Sequence, residues 1–420
     1  MISEQGLGPR GNSENPTVTD VQQIPGMRTA AVAPSILREM NQRLLLDLLF
    51  IGGAATRPQL GKAAGLSQPT VNAALADLER LKLVRPCGRT TSAPGRAPML
   101  YEINPRAGAV VGVHIGREWI RLLVTDLSGT RLSKLDMRNV AADRNSLVEA
   151  VGQLVSKGTA DSGLVPEDIT HTVIGSPGVF EPGRSQLLYA ANLPGWIRSR
   201  VVQALDERFG AAVTIENDAN LGALGEYTYG ASKTVRESVY LKVGTGVGLG
   251  IVIDGRLYRG FSGSAGEAGY LPIGRELPAV PKRRPQRGML EESFGAAAIV
   301  RRAQDCGMTG ALTSEDVFAA ARQGDYCALE AVGIEARLLA RAVASICALL
   351  DPELIIVGGG VGQNLDLLET EMKTELARLT PMRPRVTVGD LGRDAVVLGA
   401  VAMGIEHARE TVFERRTKKP

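Results

Sequence analysis

The stretch Arg57-Pro58-Gln59-Leu60-Gly61-Lys62-Ala63-Ala64-Gly65-Leu66-Ser67-Gln68-Pro69-Thr70-Val71-Asn72 decides how the first hundred residues fold. Pro58 stands where a helix begins, because the N–H it lacks would have no partner there, and Gly65 supplies a residue that can end the helix left-handed. Ser67 is an N-cap for a following helix, in which Leu75 and Leu78 have the spacing of a buried seam. Two short helices joined by Gly65-Leu66-Ser67 make a helix-turn-helix. Upstream, Ile36, Met40, Leu44, Leu45, Leu48 and Leu49 predict a helix from Pro34 through Phe50 with those side chains on one face, stopped by Gly52-Gly53. Downstream, Leu83 to Tyr101, with Gly88, Gly95 and Pro98 between apolar ends, reads as a β-hairpin wing.

A winged helix-turn-helix suits double-stranded DNA, and the residue types agree. Ser67, Gln68, Thr70 and Asn72 are small or polar side chains at the start of the second motif helix, where base edges are read. Arg57 and the wing cations Arg85, Arg89 and Arg96 are candidates for phosphate or minor-groove contact. From Arg28 to Arg106 there are 11 Lys/Arg against 5 Asp/Glu, a local charge of +6 in a chain whose net charge is +3, so the remainder carries −3. The basic excess coincides with the helix-turn-helix, and the acidic remainder argues against nucleic-acid contact elsewhere.

At 420 residues the chain can hold two or three domains, and 44% hydrophobic with 22% charged residues is ordinary for a globular protein. No apolar run reaches the roughly 18 residues of a membrane span, and Met1 to Met27 is polar and lacks an apolar signal core, so a cytoplasmic location with no membrane partner is expected. Cys87, Cys306, Cys327 and Cys347 lie far apart and are expected to be lone thiols.

From Gly108 onward the pattern changes. Ala109–Val113, Trp119–Asp126 and Leu132–Met137 read as a strand meander, and Val239–Val243, Gly248–Ile253 and Arg256–Tyr258 repeat it. Each copy is followed by an apolar strand entering a glycine loop, Val173-Ile174-Gly175-Ser176-Pro177-Gly178 in the first and Leu354-Ile355-Ile356-Val357-Gly358-Gly359-Gly360 in the second. A duplicated α/β lobe is implied, with ligands bound in the cleft near strand ends.

Six motifs then occur in order: Ile174-Gly175-Ser176-Pro177-Gly178-Val179, Asn192-Leu193-Pro194-Gly195-Trp196, Glu216-Asn217-Asp218-Ala219-Asn220, Gly244-Thr245-Gly246-Val247-Gly248, Ser264-Ala265-Gly266-Glu267-Ala268-Gly269 and Val357-Gly358-Gly359-Gly360-Val361. In that order they resemble the ROK family of repressors, open reading frames and sugar kinases. The resemblance covers about 300 residues from Gly108, and the helix-turn-helix ahead of it matches the repressor branch. It implies an actin-like (ribonuclease H-like) two-lobed domain after the winged helix-turn-helix. It also implies a sugar site carried by Gly178, Asn217, Asp218, Glu267, Tyr270 and Glu291. In family kinases the aspartate at Asp218 is the catalytic base, while Asn217 or Asp218 also fits the cap of a helix from Ala219 to Tyr229. The glycine loops could bring backbone amides close to phosphates, but tight chain geometry is the better reading of them here.

The resemblance breaks where kinases carry Asp-x-Gly-Gly-Thr for nucleotide phosphates and metal. Here stand His114-Ile115-Gly116-Arg117-Glu118, which replace the carboxylate and place an acid near a triphosphate. At the family's zinc positions stand Tyr270, Lys282, Arg284 and Met289, a set that zinc does not favour. No cofactor, no metal and no catalysis are therefore expected. The organisation expected is a tail over 1–27, a winged helix-turn-helix over 28–106, a two-lobed sugar-sensing domain over 107–410 and a basic tail over 411–420 containing Arg415-Arg416-Thr417-Lys418-Lys419. Function is expected to be transcriptional regulation: a repressor of carbohydrate-metabolism genes, with a DNA operator, a sugar or sugar-phosphate effector and a homodimer or homotetramer as its assembly. The alternative is an ATP-dependent sugar kinase with a DNA-binding appendage.

Overall fold

Caps written into the sequence set the head of the molecule. The computed structural model describes residues 33–90, 97–181, 186–188, 201–209, 212–273 and 288–417, so the expected 1–27 tail, Arg96, Lys282, Arg284 and residues 418–420 lie outside the described residues. The head comprises α1 (Pro34–Gly52), β1 (Ala55–Thr56), α2 (Arg57–Ala64), α3 (Gln68–Arg80), β2 (Val84–Arg89) and β3 (Met99–Ile103). Thr56 and Gln59 form a reciprocal capping box at the start of α2, Gly65 ends it at φ 66°, and the Ser67 hydroxyl accepts from Thr70 N–H at 3.4 Å. The wing is a three-stranded sheet in the order β1-β3-β2, whose two-residue β1 was not anticipated.

The apolar face predicted for α1 is corrected by the structure. Its buried residues are Gln42, Leu45, Leu46 and Leu49, whereas Ile36, Met40 and Leu44 face solvent. Arg38 fixes this rotation with two 2.6 Å hydrogen bonds to the buried Asp77 of α3, and Gln42 adds a third at 2.7 Å. The ion pair with Arg38 holds the Asp77 carboxyl below the usual carboxylate range.

The first lobe contains β4 (Ala109–Ile115), β5 (Trp119–Asp126), β6 (Arg131–Arg138), α4 (Arg144–Asp161), β7 (Ile169–Ser176), β8 (Val179–Glu181), β9 (Gln186–Leu188), α5 (Val201–Phe209), β10 (Ala212–Asn217) and α6 (Asp218–Tyr229). The second contains β11 (Ser238–Val243), β12 (Val247–Ile253), β13 (Arg256–Leu257), α7 (Met289–Ser293), α8 (Ala296–Cys306), α9 (Ser314–Arg322), α10 (Tyr326–Leu350), β14 (Leu354–Gly358), α11 (Gly359–Gly362), α12 (Leu365–Leu379), β15 (Arg385–Val388) and α13 (Ala395–Thr417). The sheet orders, β6-β5-β4-β7-β10 and β13-β12-β11-β14-β15, are the same: an antiparallel meander followed by two parallel strands. The duplication read from the sequence is thus a duplication of topology.

Helices α6 and α13 lie between the two sheets and touch backbone to backbone. A Cβ added at Gly225 would stand 2.2 Å from the Ala395 carbonyl oxygen, and one at Gly399 would stand 1.8 Å from that of Leu221. The far end of α13 enters the head: Ala408, Val412 and Phe413 share a buried cluster with Leu45, Leu46, Leu49 and Tyr101. The basic tail expected from residue 411 is therefore wrong over 411–417, because Val412 and Phe413 are buried and Arg415 donates to the Ile169 carbonyl at 3.0 Å. A second correction concerns sulfur. Cys306 at the end of α8 and Cys327 at the start of α10 form a disulfide with Cα atoms 5.4 Å apart, a pairing that their separation of 21 residues does not announce. Among the described residues no helix is long and apolar enough to cross a membrane.

Candidate functional site

The two candidate sites occupy opposite ends of α13. In the head, Gln68 and Asn72 project from the first turns of α3 and are exposed. Ser67 and Thr70 are engaged with each other, their hydroxyls 2.8 Å apart, so they shape the helix start as much as they present polar groups. The remaining cations are partly committed. Arg57 lays its guanidinium over the Tyr101 ring at 4.9 Å, Arg85 pairs with Glu102 at 2.8 Å, and Arg89 donates to the Ala97 carbonyl at 3.1 Å.

The second site lies where β7, β10 and α6 of the first lobe meet β11, β12 and α7 of the second. The Asn217 side chain caps α6, accepting from the N–H groups of Ala219 (2.8 Å) and Asn220 (3.2 Å), and its amide nitrogen donates to the Gly178 carbonyl at 3.0 Å. Capping thus falls to Asn217, and the neighbouring Asp218 is left to point elsewhere. Asp218 is 6% exposed and ion-paired to Lys242 of β11. Burial, the largest single influence, raises its pKa, but the charge and hydrogen bond of Lys242, together with His114 and the Ala219 N–H, outweigh it and hold the carboxyl below the ordinary range. A carboxylate so held is a poor proton acceptor.

His114, at the end of β4, completes this cluster. Its Nε2 is 3.9 Å from the Asp218 carboxylate, and neither ring nitrogen has a hydrogen-bond partner. Burial, reinforced by the nearby Lys242, pushes the imidazole down to about 3, so His114 is neutral at physiological pH. Arg117 and Glu118 extend outward, with Glu118 3.6 Å from Arg138.

Across the cleft, Glu267 and Tyr270 belong to one tight turn that packs on α7, which carries Glu291. Gly266 makes the turn possible: its φ is +94°, and a Cβ there would lie 1.9 Å from the Leu249 carbonyl oxygen. Burial first, then the charges of Asp218 and Glu291, raise the Glu267 carboxyl to about 7. The structure brings Gly178, Asn217, Asp218, Glu267, Tyr270 and Glu291 into one region. Among the described residues no cluster of three or more His, Cys, Asp or Glu side chains suits a metal.

Sequence reasoning missed three residues here. Lys242 carried a usable signal, being the one charge in the otherwise apolar run Val239–Val243. Glu216 opens the motif Glu216-Asn217-Asp218-Ala219-Asn220 but was assigned no role there, and Arg259 carried no signal. The Glu216 carboxylate accepts from Asn217 N–H (2.9 Å), the Asn220 amide (2.9 Å) and the Arg259 guanidinium (2.7 Å), a contact made across 43 residues.

A protein-family model described as the ROK family matches residues 110–407. The chain is 25% identical over 396 residues to a xylose repressor of Caldicellulosiruptor bescii, covering 88% of this chain and 96% of that one. It is 31% identical to a glucokinase of Halalkalibacterium halodurans, covering 69% of this chain and 92% of the enzyme. Among solved structures, one described as a ROK family transcriptional regulator, homolog of the E. coli MLC protein, superposes with a TM-score of 0.73 at 20% identity, over 90% of this chain and 98% of that one.

Proposed function

The chain belongs to the ROK family, and from that premise we propose that it is a DNA-binding transcriptional regulator. It acts as a repressor of carbohydrate-metabolism genes whose operator affinity is set by a sugar or sugar phosphate in the cleft. The head over 28–106 reads DNA through Gln68 and Asn72, with Ser67, Thr70, Arg57, Arg85, Arg89 and Arg96 positioning it. The domain over 107–410 senses the ligand through Gly178, Asn217, Asp218, Glu267, Tyr270 and Glu291. One observation carries the reading: α13 packs closely on α6, whose first residue is Asp218, with backbone contact at Gly225 and Gly399 and with Leu221 buried against Val396, Ala400 and Met403, and α13 ends inside the core of the head. A ligand that favours one arrangement of α6 biases α13, and hence the heads, by its differential affinity for the two arrangements. The likeness to xylose repressors along nearly the whole chain supports the repressing sign.

The rival reading is a sugar kinase, favoured by the likeness to glucokinases. Against it, Asp218 is ion-paired to Lys242 and a neutral His114 stands where a kinase needs a carboxylate. A panel of monosaccharides and their phosphates separates the readings. A regulator's melting temperature rises with at least one of them, because a ligand of the folded state stabilises it, while ATP turnover stays at background. Sugar-dependent ADP release would establish the kinase instead, and a flat panel would remove the sugar from the proposal.

A further inference from the structure

The correction to α1 leaves a face that nothing in the described chain covers. Ile36, Leu37, Met40, Leu44 and Ile51 are 52%, 48%, 58%, 39% and 77% exposed. Five large aliphatic side chains on one 19-residue helix are more than scattered surface residues. Leu37, Leu44 and Ile51 recur every seven residues, with Met40 filling the intermediate position after Leu37, which is the spacing of a seam between two helices.

We infer that this face is a docking surface for the α1 helix of a second copy of the chain, the two packed antiparallel about a two-fold axis at Leu44. The stripe is self-complementary about that residue, as an isologous contact requires. Leu44 meets the partner's Leu44, Leu37 meets the partner's Ile51, and Met40 meets the partner's Leu48. The charges agree as well. Arg38 is turned to Asp77, and Arg43 to Glu39 and Glu414, so neither cation is left on the stripe. Asp47 holds the intermediate position after Leu44 that Met40 holds after Leu37, so the seam carries one acid; it is answered by Arg409 and Arg43 of its own chain, and in the pair it stands opposite the partner's Asn41, whose amide can donate to it.

Area decides what the contact does. Five such side chains offer a few hundred Å² per copy, against about 800 Å² per partner in a stable complex. The contact is therefore too small to hold two copies together unaided, and its role is to orient the heads of an assembly joined elsewhere. Because α1 packs on α3 through its opposite face, Gln68 and Asn72 remain exposed in the pair. The surface rests on the DNA-binding reading only for its purpose, so it is tested without DNA.

The experiment uses the full chain with the exposed Cys87 replaced, Cys87→Ala, and one new thiol, Leu44→Cys, oxidised with copper phenanthroline at low micromolar concentration and read on a non-reducing gel. Covalent dimers should form at least about tenfold faster than with Arg80→Cys, a more exposed control on α3, because paired helices raise the local thiol concentration. A mixture of Leu37→Cys and Ile51→Cys chains should crosslink to each other in preference to themselves. Rates no faster than the control, or a preference for like pairs, would overturn the proposal. Crosslinking at Leu44→Cys that appears only after residues 1–32 are deleted would also overturn it, by assigning the face to that segment. A circular-dichroism melt of each variant establishes that it is folded, and failure of the contact leaves the DNA reading intact.

Discussion

Replacing Lys242 by methionine probes the cleft most sharply, because it keeps the stem and removes only the charge that faces buried Asp218. Stripping one partner from a buried ion pair costs about 3–5 kcal/mol when the remaining charge cannot relax. Asp218 can relax by taking a proton. Starting from its ordinary value of 3.8, the cost of holding that proton at pH 7, at 1.36 kcal/mol per unit, bounds the penalty at about 4 kcal/mol. At pH 5 the same bound falls to about 1.6 kcal/mol. The sign follows from linkage. In the native chain the Asp218 pKa is lowered, so its contribution is present at neutral pH and lost as pH falls. In Lys242→Met burial raises it, so the folded state loses stability as pH rises. Calorimetric melting at pH 5 and pH 8 should show a deficit of several °C that is larger at pH 8, at about 2–4 °C per kcal/mol. Adding Asp218→Asn to Lys242→Met should recover most of it. A deficit independent of pH, or none, would refute the ion pair as the organiser of the cleft.

Two further outcomes are expected. Gln68→Ala and Asn72→Ala should each relax sequence choice by about 1–3 kcal/mol per lost base contact in a binding-site selection, whereas Arg89→Ala should weaken all sequences alike and flatten the salt dependence. Phe413→Ala, which empties a site 1% exposed where α13 enters the head, should cost about 3–5 kcal/mol by chemical denaturation and reduce DNA binding while leaving the sugar-induced rise in melting temperature of the two lobes in place.

The parts of the fold carried by local chemistry were readable in advance. Gly65 and Ser67 delimit the helix-turn-helix because a left-handed residue and a hydroxyl cap act within a turn of the chain. The two meanders announced the duplicated lobes because strand alternation repeats in order. The face of α1 was not readable: apolar residues at 36, 37, 40, 44, 45, 46, 48 and 49 surround much of the helix, and periodicity alone cannot choose the side that Arg38 and Asp77 select. The end of α13 was misjudged because its cations drew attention from Val412 and Phe413, which continue the helical spacing of Ala408. In the cleft, the acids were legible through resemblance to the family. Of the cations that answer them, Lys242 was marked as the lone charge in an apolar strand, but its partner, like that of Arg259, is fixed only when separate segments fold together.

The central claim is that occupancy of the cleft changes how the head binds DNA. It is tested by fluorescence anisotropy on an operator recovered by DNA-affinity sequencing, with and without the sugar that raises the melting temperature, for the native chain and for Asp218→Asn. A coupling of about 1–3 kcal/mol predicts a change in operator affinity of about 5–150-fold in the native chain. Asp218→Asn, which keeps the shape and a hydrogen bond to Lys242, should bind the operator normally and lose the response. A sugar that binds and stabilises the protein yet leaves operator affinity unchanged would contradict the account.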